Sequence, residues 1–480
     1  MPSSPVSPGR LASALALNAV LAGCAAPDIG ARPDLGAGET VAAARTFADA
    51  GSPSVALEED WWRAFGDPQL NRLIDEALAR SPSLAIAAAR IAQADAAVSR
   101  QAGADRPTVE VGGAVQEVRQ SLNNGFPPAF KAFLPQGWHD EARVSASLNY
   151  ELDFFGRNSA ALAAATSTAD AARADAAAAR LTLSTAVAGA YATLAQLYAD
   201  RDAVGDAIIE RSQSATLQQQ RFRQGLESRQ PAARAEADLA ASRADLAQAE
   251  GRIFLLNNQL AALTGRGPDR GLEIERPAPG IKRFAAPQVL PADLVGRRPD
   301  VAAARARAQA AASREDRARA DFYPNVNLAA VYGLQSLPIS LLAQGDSQFG
   351  SVGPAISLPV FDAGAHEASY RASRAAYLEA AAVYQQTIVQ AFREVADALA
   401  QSRSLDDELT QARVEVRARE EARSLADQRY RAGLERYFVV LDAQDKLIVA
   451  RRRVADLEAG AFNIDIALIR ALGGGYHTPS

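Results

Sequence analysis

The sequence RFRQGL at residues 221–226 returns as RYRAGL at residues 429–434, 208 residues later. Gly156 and Gly364 each end a run of alternating apolar and polar residues, and they have the same separation of 208 residues. A repeat of this length is too long for a solenoid unit. We therefore interpret the chain as two copies of one half-domain.

The two copies differ in the length of one connection. Pro107 and Pro324 occupy matching places in the two copies, but they lie 217 residues apart. The first copy therefore has nine more residues than the second between this proline and the glycine that ends its alternating run.

The composition favours long helices and argues against nucleic acid as a partner. The 480 residues include 51 basic and 56 acidic side chains, for a net charge of -5, so there is no basic field to attract phosphates. Ala is frequent, and charged residues are spaced through Ala and Leu, which is typical of long helices.

The N-terminus predicts an exported lipoprotein. Residues 1–23 carry one Arg and an apolar run, which is the form of a secretory signal, and the sequence LAGC that ends at Cys24 resembles the bacterial lipobox. We expect Cys24 to be acylated and residues 24–60 to form a tether from outer-membrane lipid; the alternative is an ordinary signal peptide with a chance Cys. After residue 23 no run approaches the ~20 apolar residues of a membrane helix, so a membrane crossing would have to use strands.

Each copy reads as a helix, two strands and a helical hairpin. Asp67 and Pro68 are a plausible N-cap and first residue of the helix that opens the first copy, and the preceding pair Trp61-Trp62 is predicted to anchor it. A proline-free stretch of about 65 residues follows Gly156 and would make a helix roughly 100 Å long. The first copy is predicted to span 61–265, with strands 107–118 and 142–155 and hairpin 157–265. The connector spans 266–298. The second copy spans 299–475, with strands 324–333 and 352–361 and hairpin 364–473.

Four strands cannot close a barrel alone. Single-chain membrane barrels begin at eight strands, and an open sheet edge in lipid leaves unpaired backbone groups that cost several kcal/mol each. The chain should therefore assemble with copies of itself. Two, three or four copies would give barrels of 8, 12 or 16 strands, and the number of strands per chain does not choose among them.

Several long motifs resemble those of the outer-membrane efflux factor family, the TolC- and OprM-type channels, and especially its NodT-like lipoprotein branch. The resemblance covers essentially the whole mature chain. It is carried by WWRAFGDPQLNRLIDEALARSPSL from Trp61, YELDFFGR from Tyr150, LPADLVGRRPDV from Leu290, LPVFDAG from Leu358, RYRAGL from Arg429 and VVLDAQ from Val439.

This resemblance implies a mixed fold, with a membrane β-barrel joined to helices. Three chains would give four strands each to one 12-stranded barrel in the outer membrane, continuous with a long periplasmic α-helical barrel. Such homotrimers serve as the exit duct for an inner-membrane pump, to which a periplasmic adaptor joins them, and they need no cofactor and catalyse nothing. The alternative within this class is a type I exit channel for proteins or oligosaccharides.

The resemblance also implies roles for the repeated turns. Gly225, Leu226, Gly433 and Leu434 would form the hairpin tips at the periplasmic end, where the adaptor makes contact. We expect the second hairpin to line the constriction and the first to brace it.

Two residues of the second hairpin match the periplasmic gate of family members. Asp442 corresponds to a constricting aspartate, whose three copies would favour cations over anions in a narrow pore. Tyr430 corresponds to a tip residue that helps to hold some channels shut. The match is incomplete, because Val439, Glu435 and Pro231 stand where family members have an aspartate, an arginine and an acidic residue.

Two other classes of protein are poorer fits. An anchored enzyme is not indicated, because His139, His366 and His477 lack metal-ligand spacing and no nucleophile elbow or P-loop is present. A periplasmic adaptor without a pore would have helical hairpins, but it would lack two copies of paired alternating strands.

Overall fold

The computed structural model describes residues 26–36, 58–123, 125, 127–278 and 297–477. The predicted signal sequence, Cys24, and parts of the tether and connector lie outside these residues. The helices and strands are α1 (Pro68–Arg80), α2 (Pro82–Ala104), β1 (Thr108–Val118), β2 (His139–Leu152), α3 (Arg157–Arg223), α4 (Arg229–Leu263), α5 (Pro299–Ala320), β3 (Asn325–Ser336), β4 (Gln348–Ser357), α6 (Ala365–Arg431) and α7 (Tyr437–Ala471).

The described residues form two compact units. We call the unit that contains residues 26–35, Ala92–Asp170 and Arg305–Ala382 the strand unit. The other is the helical unit, which contains residues 36, 58–91, 171–278, 297–304 and 383–477. Among the described helices, none combines the length and the apolar character that crossing a bilayer requires.

The strand unit holds one antiparallel sheet in the order β1-β2-β3-β4. Strands from both copies therefore lie side by side, because β2 of the first copy pairs with β3 of the second along the register Ala142↔Ser336 to Leu152↔Val326. Among the described residues, β1 and β4 each have one edge without a partner strand.

The register places apolar side chains opposite one another on one face of the sheet, because directly opposed residues in antiparallel strands point the same way. This apolar face includes Val109, Val111, Val115, Val144, Ala146, Leu148, Leu328, Ala330, Tyr332, Val352 and Ile356, and at its end next to the β1–β2 connection it carries Glu117 opposite Asp140. The other face is mainly polar and includes Glu110, Gln116, Glu141, Arg143, Ser145, Ser147, Asn149, Asn327, Gln335 and Ser351. On the polar face the carboxylate of Glu141 accepts hydrogen bonds from Gln116 at 2.9 Å and Gln335 at 2.7 Å, which ties three strands together.

Strands β2 and β4 begin and end earlier than the alternation predicts. The predicted ranges were 142–155 and 352–361, whereas the strands are His139–Leu152 and Gln348–Ser357. The reason is that an Asp after each strand caps the following helix. Asp153 accepts from the amides of Asn158 and Ser159, at 3.1 and 2.8 Å.

Asp362 has the same role in the second copy. Its carboxylate accepts from the amides of Gly364 and His366, at 3.0 and 2.6 Å, and the bond from His366 holds the pKa of Asp362 below its usual value. The chain therefore leaves the sheet before Val360 and Phe361, although their pattern continues that of the strand. Strands β1 and β3 start one residue later than predicted, and β3 continues to Ser336 rather than ending at residue 333.

The helical unit has a core built around the paired tryptophans. Trp61 and Trp62 are buried, and Phe65 packs edge-on against Phe462 with ring centroids 4.6 Å apart. The carboxylate of Asp67 caps α1, as predicted, because it accepts from the amides at the second and third positions of that helix. The tryptophans thus anchor α1, as the sequence indicated.

Candidate gate at the hairpin tips

The two repeated hexapeptides form the same helix-ending turn. In the first turn Gly225 has a φ of 70°. The amide of Leu226 donates to the carbonyl of Arg221 at 2.9 Å, and the amide of Gly225 donates to the carbonyl of Phe222 at 3.0 Å. These two bonds define a Schellman motif, in which glycine adopts the left-handed backbone conformation without a side-chain penalty.

The second turn repeats this geometry. Gly433 has a φ of 74°, and Leu434 and Gly433 donate to the carbonyls of Arg429 and Tyr430 at 3.0 and 2.9 Å. Leu226 and Leu434 follow the two glycines and are 67% and 71% exposed. Each tip therefore presents a leucine to its surroundings.

A salt bridge across each turn extends the repeat by one residue. Arg221 lies 2.9 Å from Glu227, and Arg429 lies 3.5 Å from Glu435. The sequence carries the signal, because Glu follows Gly-Leu in both copies, although Glu435 departs from the family pattern. The structure shows Glu435 to be a partner within the turn.

Tyr430 lies where the two hairpins meet. Its ring centroid is 5.0 Å from that of Tyr437, and the guanidinium of Arg221, from the first hairpin, lies 5.3 Å from the ring centroid. Burial raises the pKa of Tyr430, and its hydroxyl has no hydrogen-bond partner among the described residues. The two hairpins of one chain are thus joined at Tyr430 by a cation–π contact.

Asp442 has a different partner. Its carboxylate lies 2.6 Å from the ammonium group of Lys446, one helical turn along α7, and both side chains are about half exposed, at 46% and 52%. The i, i+4 spacing of the pair can be read in the sequence, although the family resemblance marks only Asp442. The charge at this position is therefore that of an ion pair rather than of a single carboxylate.

Arg211 joins three helices of the helical unit near the tips. Its guanidinium lies 2.6 Å from the carboxylate of Asp445 on α7. It also donates to the hydroxyl of Ser242 at 2.6 Å and to the carbonyl of Asp238 at 3.2 Å, both on α4. One side chain of α3 therefore holds both return helices.

The adjacent residue, Glu210, contacts the remaining long helix. Its carboxylate lies 3.3 Å from Arg423 on α6 and accepts a hydrogen bond from Gln444 on α7. Together, Glu210 and Arg211 connect α3 to α4, α6 and α7. We call Glu210, Arg211 and their side-chain partners the polar collar; sequence reasoning missed it because no local pattern marks it.

The described part of the tether packs in the strand unit. Arg32 donates to the carbonyl of Ala312 and to Asp316, both at 3.0 Å, and Tyr377 donates to the carbonyl of Pro33. Residues shortly after the predicted lipidation site are thereby held on α5 and α6. Among the described residues, no group of three or more His, Cys, Asp or Glu side chains is placed to hold a metal ion.

Comparison with known proteins assigns the chain to a family. The sequence profile described as "Outer membrane efflux protein" matches residues 73–266 and 290–474. The chain belongs to this family. The protein is therefore an outer-membrane efflux channel, as the sequence motifs predicted, and its family is one of transport proteins.

Individual relatives are similar over most of their length. Fusaric acid resistance protein FusA of Burkholderia cepacia is 34% identical over 382 residues, 78% of this chain and 71% of that protein. Pyoverdine export outer membrane protein OpmQ of Pseudomonas putida is 30% identical over 446 residues, 90% of this chain and 91% of that protein. The crystal structure of the outer membrane protein VceC of Vibrio cholerae is similar with a TM-score of 0.82 and 37% identity, and the match covers 89% of this chain and all of that one (100%).

Proposed function

We propose that three copies of this chain form one continuous duct in the outer membrane and the periplasm, and that this duct is the exit channel of a tripartite efflux system. Each chain contributes its four-stranded sheet to a 12-stranded barrel, and the helical hairpins form a periplasmic α-helical barrel. An adaptor binds at Gly225, Leu226, Gly433 and Leu434 and connects the duct to an inner-membrane pump.

The sheet is the observation that carries this proposal. One of its faces is apolar across four strands and the other is mainly polar, which suits lipid outside and water inside. The strands have 10 to 14 residues, the length that a tilted strand needs to cross a bilayer.

The free edges of β1 and β4 support closure by further copies. In an antiparallel sheet of four strands, β1 and β4 run in opposite directions, so β4 of one chain can pair with β1 of the next as another antiparallel ladder. Three chains give twelve strands, the number that the family resemblance implies.

The tips are suited to a partner that binds by apolar contact. Leu226 and Leu434 are exposed on rigid turns, and each turn is held by two backbone hydrogen bonds and an Arg–Glu pair. A preformed surface of this kind loses little conformational entropy when an adaptor binds. For the cargo, the names of FusA and OpmQ favour small organic molecules over proteins or oligosaccharides.

Two measurements on the purified protein test the proposal. Native mass spectrometry should give a trimer that resists dissociation when heated in detergent, and the trimer should give discrete conductance steps in planar bilayers. A correctly folded protein that stays monomeric, or that never conducts, would contradict it.

We expect the pair Asp442–Lys446 to set the ion selectivity of the closed end. Asp442→Ala leaves three lysines in the trimer and should shift selectivity toward anions, whereas Lys446→Met leaves three carboxylates and should shift it toward cations. Reversal potentials in a salt gradient measure both shifts, and trimer formation should be unchanged. If neither variant moves the reversal potential, the pair does not line the constriction.

Cys24 is the proposed site of the lipid anchor. Cys24→Ser should abolish incorporation of radiolabelled palmitate and leave the barrel able to form. Labelling that persists in this variant would exclude the lipobox assignment, because no other Cys is present in the sequence.

A further inference from the structure

The longer connection of the first copy, residues 119–138 between β1 and β2, is held together by its own hydrogen bonds. The side-chain amide of Gln136 donates to the carbonyls of Lys131 and Leu134, at 2.7 and 3.2 Å. The ammonium group of Lys131 donates to the side-chain carbonyl of Asn123 at 2.8 Å. We call this segment the β1–β2 loop; residues 124 and 126 lie outside the described residues.

This loop exposes three large aromatic side chains. Phe130, Phe133 and Trp138 are 59%, 84% and 65% exposed. Phe130 and Phe133 lie in the 3-10 helix Pro128–Phe133, and residues three apart in such a helix eclipse one another. Both rings are therefore directed to the same side of the loop.

Trp138 continues the apolar face of the sheet. It directly precedes β2. Even-numbered residues of β2, such as Val144 and Ala146, point to the apolar face, and Trp138 continues this alternation. Arg119 directly follows β1. Odd-numbered residues of β1, such as Val115, point to the same face, and Arg119 continues this alternation. An aromatic ring and a cation therefore lie at the loop end of this face, beyond the opposed pair Glu117 and Asp140.

Within the loop every charge is positive, whereas the strand ends beside it carry Glu117 and Asp140. Residues 119–138 contain Arg119 and Lys131 and no acidic residue. The equivalent connection of the second copy, residues 337–347, has no basic residue and contains Asp346. The combination of exposed rings and cations is thus confined to the first copy.

We propose that the β1–β2 loop docks on the phosphorylated glycolipid of the outer leaflet, lipopolysaccharide. Aromatic rings are favoured at the boundary between acyl chains and headgroups, and basic side chains there bind anionic lipid headgroups. The rings of Phe130, Phe133 and Trp138 enter this boundary, and Arg119 and Lys131 face the lipid phosphates. This inference rests on the proposed function, because it requires the apolar face of the sheet to contact the outer membrane.

The three tryptophans of the chain supply the test. Trp61 and Trp62 are buried, at 3% and 1% exposure, so quenching by acrylamide reports mainly on Trp138. In phosphatidylcholine vesicles, added lipopolysaccharide should shield Trp138 from acrylamide and shift its emission to shorter wavelength. The double variant Arg119→Gln, Lys131→Gln should need about thirtyfold more lipopolysaccharide for half of this effect.

A matched control removes two cations from helix α2. The double variant Arg90→Gln, Arg100→Gln has the same net charge as the loop variant and should titrate like the parent protein. Equal quenching with and without lipopolysaccharide would overturn the proposal. So would an increase in single-channel conductance for Trp138→Ala, because that result would place the loop across the pore. Both outcomes are scored on trimers that conduct, so they are distinct from a failure of the proposed function.

Discussion

Replacing Val111 with Arg should reduce the amount of trimer in the outer membrane at least tenfold. Val111 lies in the middle of β1, opposite Ala146 on the apolar face, and its side chain is 74% exposed in the single chain. If this face contacts lipid, an Arg near the bilayer midplane costs about 2–4 kcal/mol in each copy. The trimer band in outer-membrane fractions, detected by immunoblot, measures the loss.

The neighbouring residue provides the matched control. Glu110 lies on the same strand, but its side chain is on the polar face, opposite Ser147. Glu110→Arg changes the charge by two units rather than one, yet it should leave assembly intact and change only the selectivity of the pore. Equal assembly of the two variants would contradict contact of the apolar face with lipid, and poorer assembly of Glu110→Arg would show that the faces are assigned the wrong way round.

Arg298→Ala should cause the second large effect, a loss of about 2–3 kcal/mol of stability, because it removes a buried arginine that bonds two partly exposed carboxylates and the end of a helix. The side chain of Arg298 is only 6% exposed, and its guanidinium lies 2.7 Å from Asp300 and 2.9 Å from Glu394. It also donates to the carbonyl of Ala471 at 3.0 Å, at the C-terminal end of α7. Burial alone would lower the pKa of Arg298, but the bonds to the two carboxylates more than offset it and raise the pKa.

The position at the end of α7 adds to this effect. The last carbonyls of a helix have no partner within the helix, and a cation there is favoured by the helix dipole. Arg298→Ala would leave the carbonyl of Ala471 and the carboxylate of Glu394 without this partner. Arg298→Lys should be intermediate, because Lys keeps the charge but lacks the planar fork that makes parallel bonds.

Chemical denaturation of the purified protein, followed by circular dichroism, measures the change in stability. Arg393→Ala is the control, since Arg393 is next to Glu394 but is 59% exposed and forms its ion pair with Asp397 along α6, at 2.8 Å. Surface pairs of this kind contribute about 0–1 kcal/mol. If Arg298→Ala is no more destabilising than Arg393→Ala, the bonds of Arg298 do not hold the start of α5 to the end of α7.

Local patterns predicted much of this structure. The repeated hexapeptide marked both helix-ending turns, and Asp67 with Pro68 marked the start of α1, because the conformations of these residues depend on near neighbours. The same logic failed at the ends of β2 and β4. There the alternation continues through Phe154 and Phe361, but Asp153 and Asp362 cap the next helix and end the strand first.

The candidate gate was predicted only in part. The sequence singled out Tyr430 and Asp442, whereas the structure supplied their different partners, Arg221 with Tyr437 for the first and Lys446 for the second. Lys446 could have been found from its spacing. The contact between Arg221 and Tyr430 could not, because it joins the two copies across a long separation in the chain.

The sequence by itself determined the duplication, the positions of the turns and the family, since each depends on residues that are close together or on long motifs in order. The tertiary structure decided the strand order, in which β2 of one copy pairs with β3 of the other, and hence the single apolar face. It also decided that Arg298 meets Ala471, 173 residues away, and that Glu210 and Arg211 bind three other helices. Such contacts depend on how whole helices and strands pack, and no short stretch of sequence encodes that packing.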